Sequence, residues 1–304
     1  MSSLVLSKNN KFRWLTVKET GNLISTTETK LKPKGGVIRK LNKNTYVDTR
    51  TGVICEFKHT TTRMDDIKSI KSSMSKLRDL VNTNVTNAEN CLWVTLTYKE
   101  NMTDNKRLYK DFDKFNKKMH YHYGNFEYIA CAEPQERGAW HMHVIMIFDK
   151  KTFIPNKDLA NLWEHGFTKT TNIDNVDNVG AYLSAYLSDL EIDIVNTDNT
   201  KSKKILKGAR LGLYPRGMHF YRTSKGIKKP TKYRTTFAEF CKRFINTKKI
   251  QPHHLTFTKT KTYEGDNYSN TITWNVFNLK KKPTPTDNLP LDIYGAIQEY
   301  DIFF

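Results

Sequence analysis

Apolar residues along this chain gather into a short series of periodic segments separated by polar, lysine-rich stretches. Ile67, Ile70, Met74, Leu77 and Val81 recur at helical spacing, with Asp65 and Asp66 at the end where the helix dipole favours anions. Residues 82–90 are polar and read as a connector. Residues 91–98 are apolar, β-branched and aromatic, the pattern of a buried strand. Leu108, Phe112, Phe115 and Met119 then mark an amphipathic helix through a basic segment. Residues 128–132 and 139–148 read as two strands joined by a tight turn containing Gly138. Leu159, Leu162 and Trp163 predict a short helix closing at Gly166. A last helix runs from residue 179 to about residue 190, with Asp174 or Asp177 near its start. The order β, α, β, β, α, α predicts an α+β fold, a mixed sheet with helices packed on one face.

The flanks read differently. Residues 1 to about 62 are polar and rich in Thr and Lys, with short β-like pieces around Tyr46 and Ile54. Residues 201–234 hold twelve Lys or Arg and no Asp or Glu, with Tyr214, Phe220, Tyr221 and Tyr233 interleaved. After Lys280 the chain turns Lys/Pro-rich and then mildly acidic. These shifts divide the chain into an N-terminal accessory region (1–87), a motif-bearing domain (88–195), a basic accessory region (196–279) and a mobile tail (280–304).

At 304 residues and 38% hydrophobic content the chain can bury a sizeable core, which excludes a wholly disordered protein. Fifty Lys and Arg against 31 acids give a net charge of +19, the footprint of a partner that is itself a polyanion. No apolar run reaches the length of a membrane span, and the N-terminus lacks the apolar core of a signal peptide. Cys55, Cys91, Cys131 and Cys241 are scattered, with no CxxC pair. They fit neither a zinc site nor a disulfide framework, and a reducing cytoplasm suits them as small buried or half-buried hydrophobes.

The chemistry concentrates in two places. His141, Met142 and His143 run into the apolar residues 144–148, and in a strand the two imidazoles project from one face. If the turn centres on Glu136, Arg137 and Gly138, Glu133 lies opposite His141, about 5 Å away at Cβ. Two imidazoles and one carboxylate with open positions left over would hold Mg²⁺ or Mn²⁺ against a phosphate oxygen. The plain alternative is a surface strand whose alternate polar residues are histidine. His59, His120, His122, His165, His219, His253 and His254 lack a comparable context and receive no ligand role. Tyr182 and Tyr186 stand four apart in the last helix, so both phenols share a face and could serve as nucleophiles. Their plain alternative is a pair of half-buried rings beside a core of Leu183, Leu187 and Leu190. In the basic stretch, Arg210, Arg216, Arg222, Lys225, Lys228 and Lys229 can neutralise phosphates, while Tyr221 can stack on an unpaired base.

Three segments in order resemble the motifs of rolling-circle replication initiators of the HUH endonuclease superfamily, found on phages, plasmids and integrative elements. Thr95-Leu96-Thr97-Tyr98 resembles the structural strand. The run from Glu133 through His141-Met142-His143 resembles the metal-binding motif, and Gly180-Ala181-Tyr182-Leu183-Ser184-Ala185-Tyr186-Leu187 the tyrosine helix. The resemblance covers residues 88–195 and implies an antiparallel ferredoxin/RRM-like sheet. It also implies metal-dependent nicking and rejoining of one strand of single-stranded or supercoiled origin DNA through a 5′-phosphotyrosine. Ala185 departs from the lysine that the family often places before the second tyrosine, so another cation must position the phosphate. No Walker A pattern follows, so a separate helicase and the host replication machinery are implied, in the cytoplasm of a bacterial host. A mobilisation relaxase or a tyrosine transposase shares these catalytic parts. A relaxase, however, commonly carries its tyrosine before a three-histidine cluster, and a single-tyrosine transposase is usually shorter. A different class remains open too, a non-catalytic nucleic-acid-binding protein with the same sheet.

Overall fold

The computed structural model describes residues 13–29, 37–58, 67–135, 137–171, 173, 213–215, 217–219, 221–265 and 268–283. In chain order the strands and helices are β1 (Trp14–Thr20), β2 (Leu23–Thr29), β3 (Ile38–Lys40), β4 (Thr45–Asp48), β5 (Ile54–Glu56) and α1 (Ile67–Asn84). There follow β6 (Cys91–Tyr98), α2 (Asn105–Tyr123), β7 (Glu127–Pro134), β8 (Trp140–Ile147), α3 (Asn156–Trp163) and β9 (Gly166–Thr171). Then come β10 (Tyr221–Thr223), β11 (Thr231–Thr236), α4 (Phe237–Phe240), β12 (Leu255–Gly265) and β13 (Tyr268–Asn278). The described residues fall into two compact units. One comprises residues 62–231 with 20–22, and the other draws on 1–19, 23–61 and 232–304.

The first unit is built on a five-stranded sheet in the order β10-β7-β8-β6-β9, every pairing antiparallel. Alternation along the strands creates two apolar faces. Val94, Leu96, Ala130, Ala132, Met142 and Val144 meet α2 and α3 through Leu108, Phe112, Phe115, Leu159 and Trp163. Trp93, Ile129, Cys131 and Ile145 point the other way and are covered by Leu77 and Val81 of α1. Helices therefore cover both faces. This corrects the expectation of helices on one face, and the sheet is antiparallel where a mixed one was expected. The near-continuous apolar runs of β7 and β8 are the physical reason, since a strand buried on both sides cannot alternate with polar residues. Helix α1 and strand β10 flank the segment 88–195 in sequence yet belong to this unit, so the compact body is larger than the segment that bears the motifs.

Local features hold the elements around this sheet. Asp104 caps α2 by accepting from the backbone N–H groups of Lys106 and Arg107, and Gly124 ends it with a positive φ. Helix α3 closes at Glu164 (φ 65°), not at Gly166, and Glu164 pairs with Lys118 at 2.6 Å. Gly166 instead opens β9, where it faces Tyr98 at φ 156°. A Cβ there would lie 2.4 Å from the Thr97 carbonyl oxygen, so only glycine lets the chain come so close. The Trp163 indole N–H donates to that same carbonyl at 3.0 Å, locking α3 under β6.

The second unit contains another five-stranded sheet, in the order β11-β1-β2-β13-β12. Segments distant in sequence are brought together here, with β13 pairing β2 from Ile272–Thr29 to Asn278–Leu23. One face carries a core of Leu15, Val17, Ile24, Phe240, Phe244 and Ile250. A small three-stranded sheet, β3-β4-β5, belongs to the same unit's residues. The cysteines are free, three of them buried and Cys55 half-buried. Among the described residues no helix is long and apolar enough to cross a membrane.

Candidate active site

The tight β7–β8 turn sets the geometry of the site. Gln135 N–H donates to the Ala139 carbonyl at 2.7 Å, Gly138 N–H donates to the Gln135 carbonyl at 2.9 Å, and Gly138 adopts φ 84°. This closure fixes the register, pairing Glu133 with His141 and Cys131 with His143. On the other side of β8, Thr97 pairs with His141 and Thr95 with His143. The five polar residues thus share one sheet face, beyond the end of the patch that α1 covers. On that face the apolar residues Trp93, Ile129, Cys131 and Ile145 give way to Thr95, Thr97, Glu133, His141 and His143.

Within this group Glu133 and His143 are in direct contact. His143 Nε2 lies 2.7 Å from Glu133 Oε2, with side-chain exposures of 2% and 14%, so the bond is shielded from water. The other ring nitrogen, Nδ1, lies 3.1 Å from Thr95 Oγ1. An imidazole held at both nitrogens cannot rotate, and its tautomer follows from its two partners. The His141 ring centre lies 6.4 Å from that of His143, half-buried beside it. Behind the site, burial and then the Glu133 charge push the Cys131 thiol well above the ordinary range, so it stays a neutral packing group.

Two imidazoles and a carboxylate make a donor set suited to Mn²⁺ or Mg²⁺ by ligand type. Among the described residues, however, no three His, Cys, Asp or Glu side chains stand at metal-holding geometry. The cause is visible in the short Glu133–His143 contact, which would have to open for both groups to bind one cation. Tyr182 and Tyr186 lie outside the described residues, as do Arg210 and Arg216.

The rest of the basic set has defined places. Tyr221 pairs with Cys131 and packs into the α1-side core, and burial raises its phenol's pKa. Its ring is thus partly taken by the fold. Arg222 pairs with Ala130, so it points to the α2 side, where its guanidinium stacks 3.8 Å over the Tyr109 ring and lies 3.6 Å from Asp113. Lys225, Lys228 and Lys229 are exposed on the loop after β10. That loop is tied down by Lys228 N–H donating to Asn84 Oδ1 and Asn84 Nδ2 donating back to the Lys228 carbonyl, both at 2.8 Å.

One residue that the motifs did not single out belongs to this face. Lys169 of β9 pairs with Thr95, which pairs with His143, placing an exposed cation two strands from the imidazole on the same side of the sheet. Its signal in the sequence was only the alternation of Gly166-Phe167-Thr168-Lys169-Thr170-Thr171, a strand not foreseen. On the opposite face a buried network also went unnoticed. Tyr98 donates to Asp111 at 3.0 Å, and Arg107 and His165 approach the same carboxylate at 3.4 and 3.6 Å. The i,i+4 spacing of Arg107 and Asp111 was its available sign.

Residues 91–191 match a family model described as a replication-associated protein of the ORF2 type. That span covers roughly a third of the chain and includes Glu133, both histidines and both tyrosines. It agrees with the resemblance to rolling-circle replication initiators and supports a part in DNA replication. No curated protein matches the chain, and no solved structure does.

Proposed function

We propose that this protein nicks and rejoins one strand of DNA at a replication origin, by attack of a tyrosine on the backbone. The observation that carries the reading is the register of Glu133, His141 and His143 on one face, inside the segment that matches replication-associated proteins. His141, His143 and Glu133 would hold Mg²⁺ or Mn²⁺, and the ion would polarise the scissile phosphate and offset the charge that builds up on it. Tyr182 or Tyr186 supplies the nucleophile. Its phenolic oxygen bonds to phosphorus, the bond to the 3′ oxygen breaks, and the phenolic proton is matched by the one taken up at the new 3′-hydroxyl. The product is a 5′-phosphotyrosine. Rejoining reverses the step, so no energy source is needed.

Lys169 takes the part of the lysine absent at position 185. Two strands from His143 is roughly 10 Å at strand spacing, within reach of a phosphate that the metal also touches. Lys225, Lys228 and Lys229 add phosphate contacts from the loop after β10. The DNA partner is single-stranded or supercoiled origin DNA, opened by a separate helicase.

The test is nicking of supercoiled origin plasmid with Mn²⁺ or Mg²⁺. His141→Ala and His143→Ala should each reduce nicking to background while origin binding stays near normal, and EDTA should reproduce the loss. Nicking by His141→Ala in EDTA would remove the metal assignment. A second reading, a non-catalytic binding protein, is favoured by the direct Glu133–His143 bond, which lets the pair serve as structure alone. Intact plasmid after incubation of the wild-type protein with either metal would decide for it.

A further inference from the structure

The second unit offers a surface that the nicking reading does not use. Leu15, Val17 and Ile24 point into the core, so Trp14 and Lys18 of β1 lie on the opposite face of the sheet. The pairings Phe257–Val276, Lys259–Trp274 and Lys261–Ile272 set β12 and β13 in step, and alternation adds Tyr263 to the same side. Trp14, Phe257 and Tyr263 are exposed by 47%, 49% and 39%, unusual for rings in strands. Cations stand over two of them, Arg234 at 5.5 Å from the Trp14 ring centre and Lys261 at 4.8 Å from that of Tyr263.

The charge on this face is one-sided. Glu19 and Glu28 of the same sheet lie on the core side, where Glu19 binds Tyr233 and Arg243 and Glu28 meets Arg13. Glu264 alternates to that side as well. The open face of the five strands therefore carries Lys and Arg among aromatic rings and no Asp or Glu.

We propose that this face binds single-stranded DNA, its rings stacking on unpaired bases and Lys259, Lys261 and Arg234 meeting the phosphates. A protein partner is the poorer fit, because interface cores are depleted in lysine. Duplex DNA fits less well too, since its bases are stacked on each other and present no free ring face. From Phe257 to Tyr263 the strand spans about 20 Å, room for several nucleotides. The site is separate from the nicking centre, and its proof does not depend on that chemistry.

The test uses the full chain in EDTA, which silences any metal-dependent cleavage, and follows the anisotropy of a labelled oligothymidylate of about 20 nucleotides. Phe257→Ala/Tyr263→Ala should weaken binding about tenfold or more, given the energy of base–aromatic stacking. Lys259→Glu/Lys261→Glu should flatten the log–log salt slope by at least about 1.4, two contacts' worth. Trp14→Phe should remove part of the tryptophan quenching that accompanies binding. All these residues are exposed, and unchanged melting temperatures would show that folding survives. Wild-type affinity and slope in both double variants would overturn the proposal. So would equal competition by duplex DNA, or a change in self-association with DNA binding untouched.

Discussion

The two five-stranded sheets of this protein use their faces in opposite ways. In the motif-bearing unit both faces are roofed by helices, and polar side chains are admitted only where the roof of α1 ends. In the other unit one face is packed on Phe240 and Phe244, and its reverse is left to solvent. The first arrangement makes a small dry site. Around His143 a hydrogen bond to Glu133 gains strength from low dielectric, and position is fixed by packing. The second makes a broad wet surface, where rings and lysines can follow a flexible polyanion without a preformed pocket. Chemistry at a single phosphate asks for the first, and holding an extended strand asks for the second.

The sharpest way to break this comparison is at the tyrosines. If the dry face is where bonds are made, Tyr182→Phe and Tyr186→Phe should differ in outcome. The variant lacking the initiating phenol should lose nicking altogether. The other should nick once and fail to complete strand transfer. Phenylalanine keeps the ring, so activity lost at an unchanged melting temperature indicts the hydroxyl. Mass spectrometry of the trapped adduct should find DNA on one of these two residues, and strand transfer by the double variant would end the proposal. Next in size, Lys169→Ala should slow nicking about 10- to 100-fold with little change in origin affinity, the mark of a group that acts on the transition state. Lys169→Arg should recover part of the rate.

The packing side of the contrast gives a stability test. Trp163 is fully buried against Tyr98 and Phe115 and donates to the Thr97 carbonyl, so Trp163→Ala should cost about 3–5 kcal/mol. Phe244→Ala should cost a similar amount within the other unit, whose core Phe244 anchors. Hydrogen exchange resolved by segment should show the first loss among β6–β9 and the second among β1, β2 and β13. Ring-face variants such as Phe257→Ala should stay within about 0.5 kcal/mol of wild type, because nothing packs over an exposed side chain.

How far all this was legible depended on how local the determining interactions are. The helix through Leu108, Phe112, Phe115 and Met119 and the strand 91–98 carry their periodicity in the chain itself, and both stand where the pattern placed them. The opposition of Glu133 and His141 could be read as well, since a tight turn at Gly138 counts residues outward on both arms. The positions of the site residues on one face followed from that count. Strand β9 was missed because its exposed edge alternates glycine, threonine and lysine, which looks like a loop, and only its pairing with β6 makes it a strand. The sheet of the second unit was hidden for a different reason. Its neighbours β2 and β13 are some 240 residues apart, as the Thr29–Asn270 hydrogen bond shows, and no local window can see such a pair. Its threonine ladder, Thr260 to Thr273 and Thr262 to Thr271, has β propensity but no apolar period. Likewise Tyr221 reads as an exposed ring in a basic stretch, and only β10's place beside Cys131 turns it inward.

The smallest effect concerns titration on the packed side of the second sheet. Tyr233 donates to Glu19 at 3.0 Å, and burial together with that carboxylate raises the phenol's pKa to about 12. An unfolded tyrosine ionises near pH 10. The folded state therefore keeps a proton that the unfolded state has released, and this contribution is complete below pH 10. It falls away as the pH climbs from about 10 to about 12, because ionisation in the unfolded chain draws the equilibrium toward unfolding. Tyr98 moves in the same direction, driven first by burial and then by its bond to Asp111, so the motif-bearing unit shares the trend. Tyr233→Phe cannot ionise, and its melting temperature should decline less steeply than the wild type's over that interval in a series of alkaline buffers. The open face carries no comparable buried phenol, and Tyr263→Phe should leave the slope as it is. If Tyr263→Phe flattened the alkaline decline as much as Tyr233→Phe, that face would be covered in solution, and the contrast between the two sheets would fail.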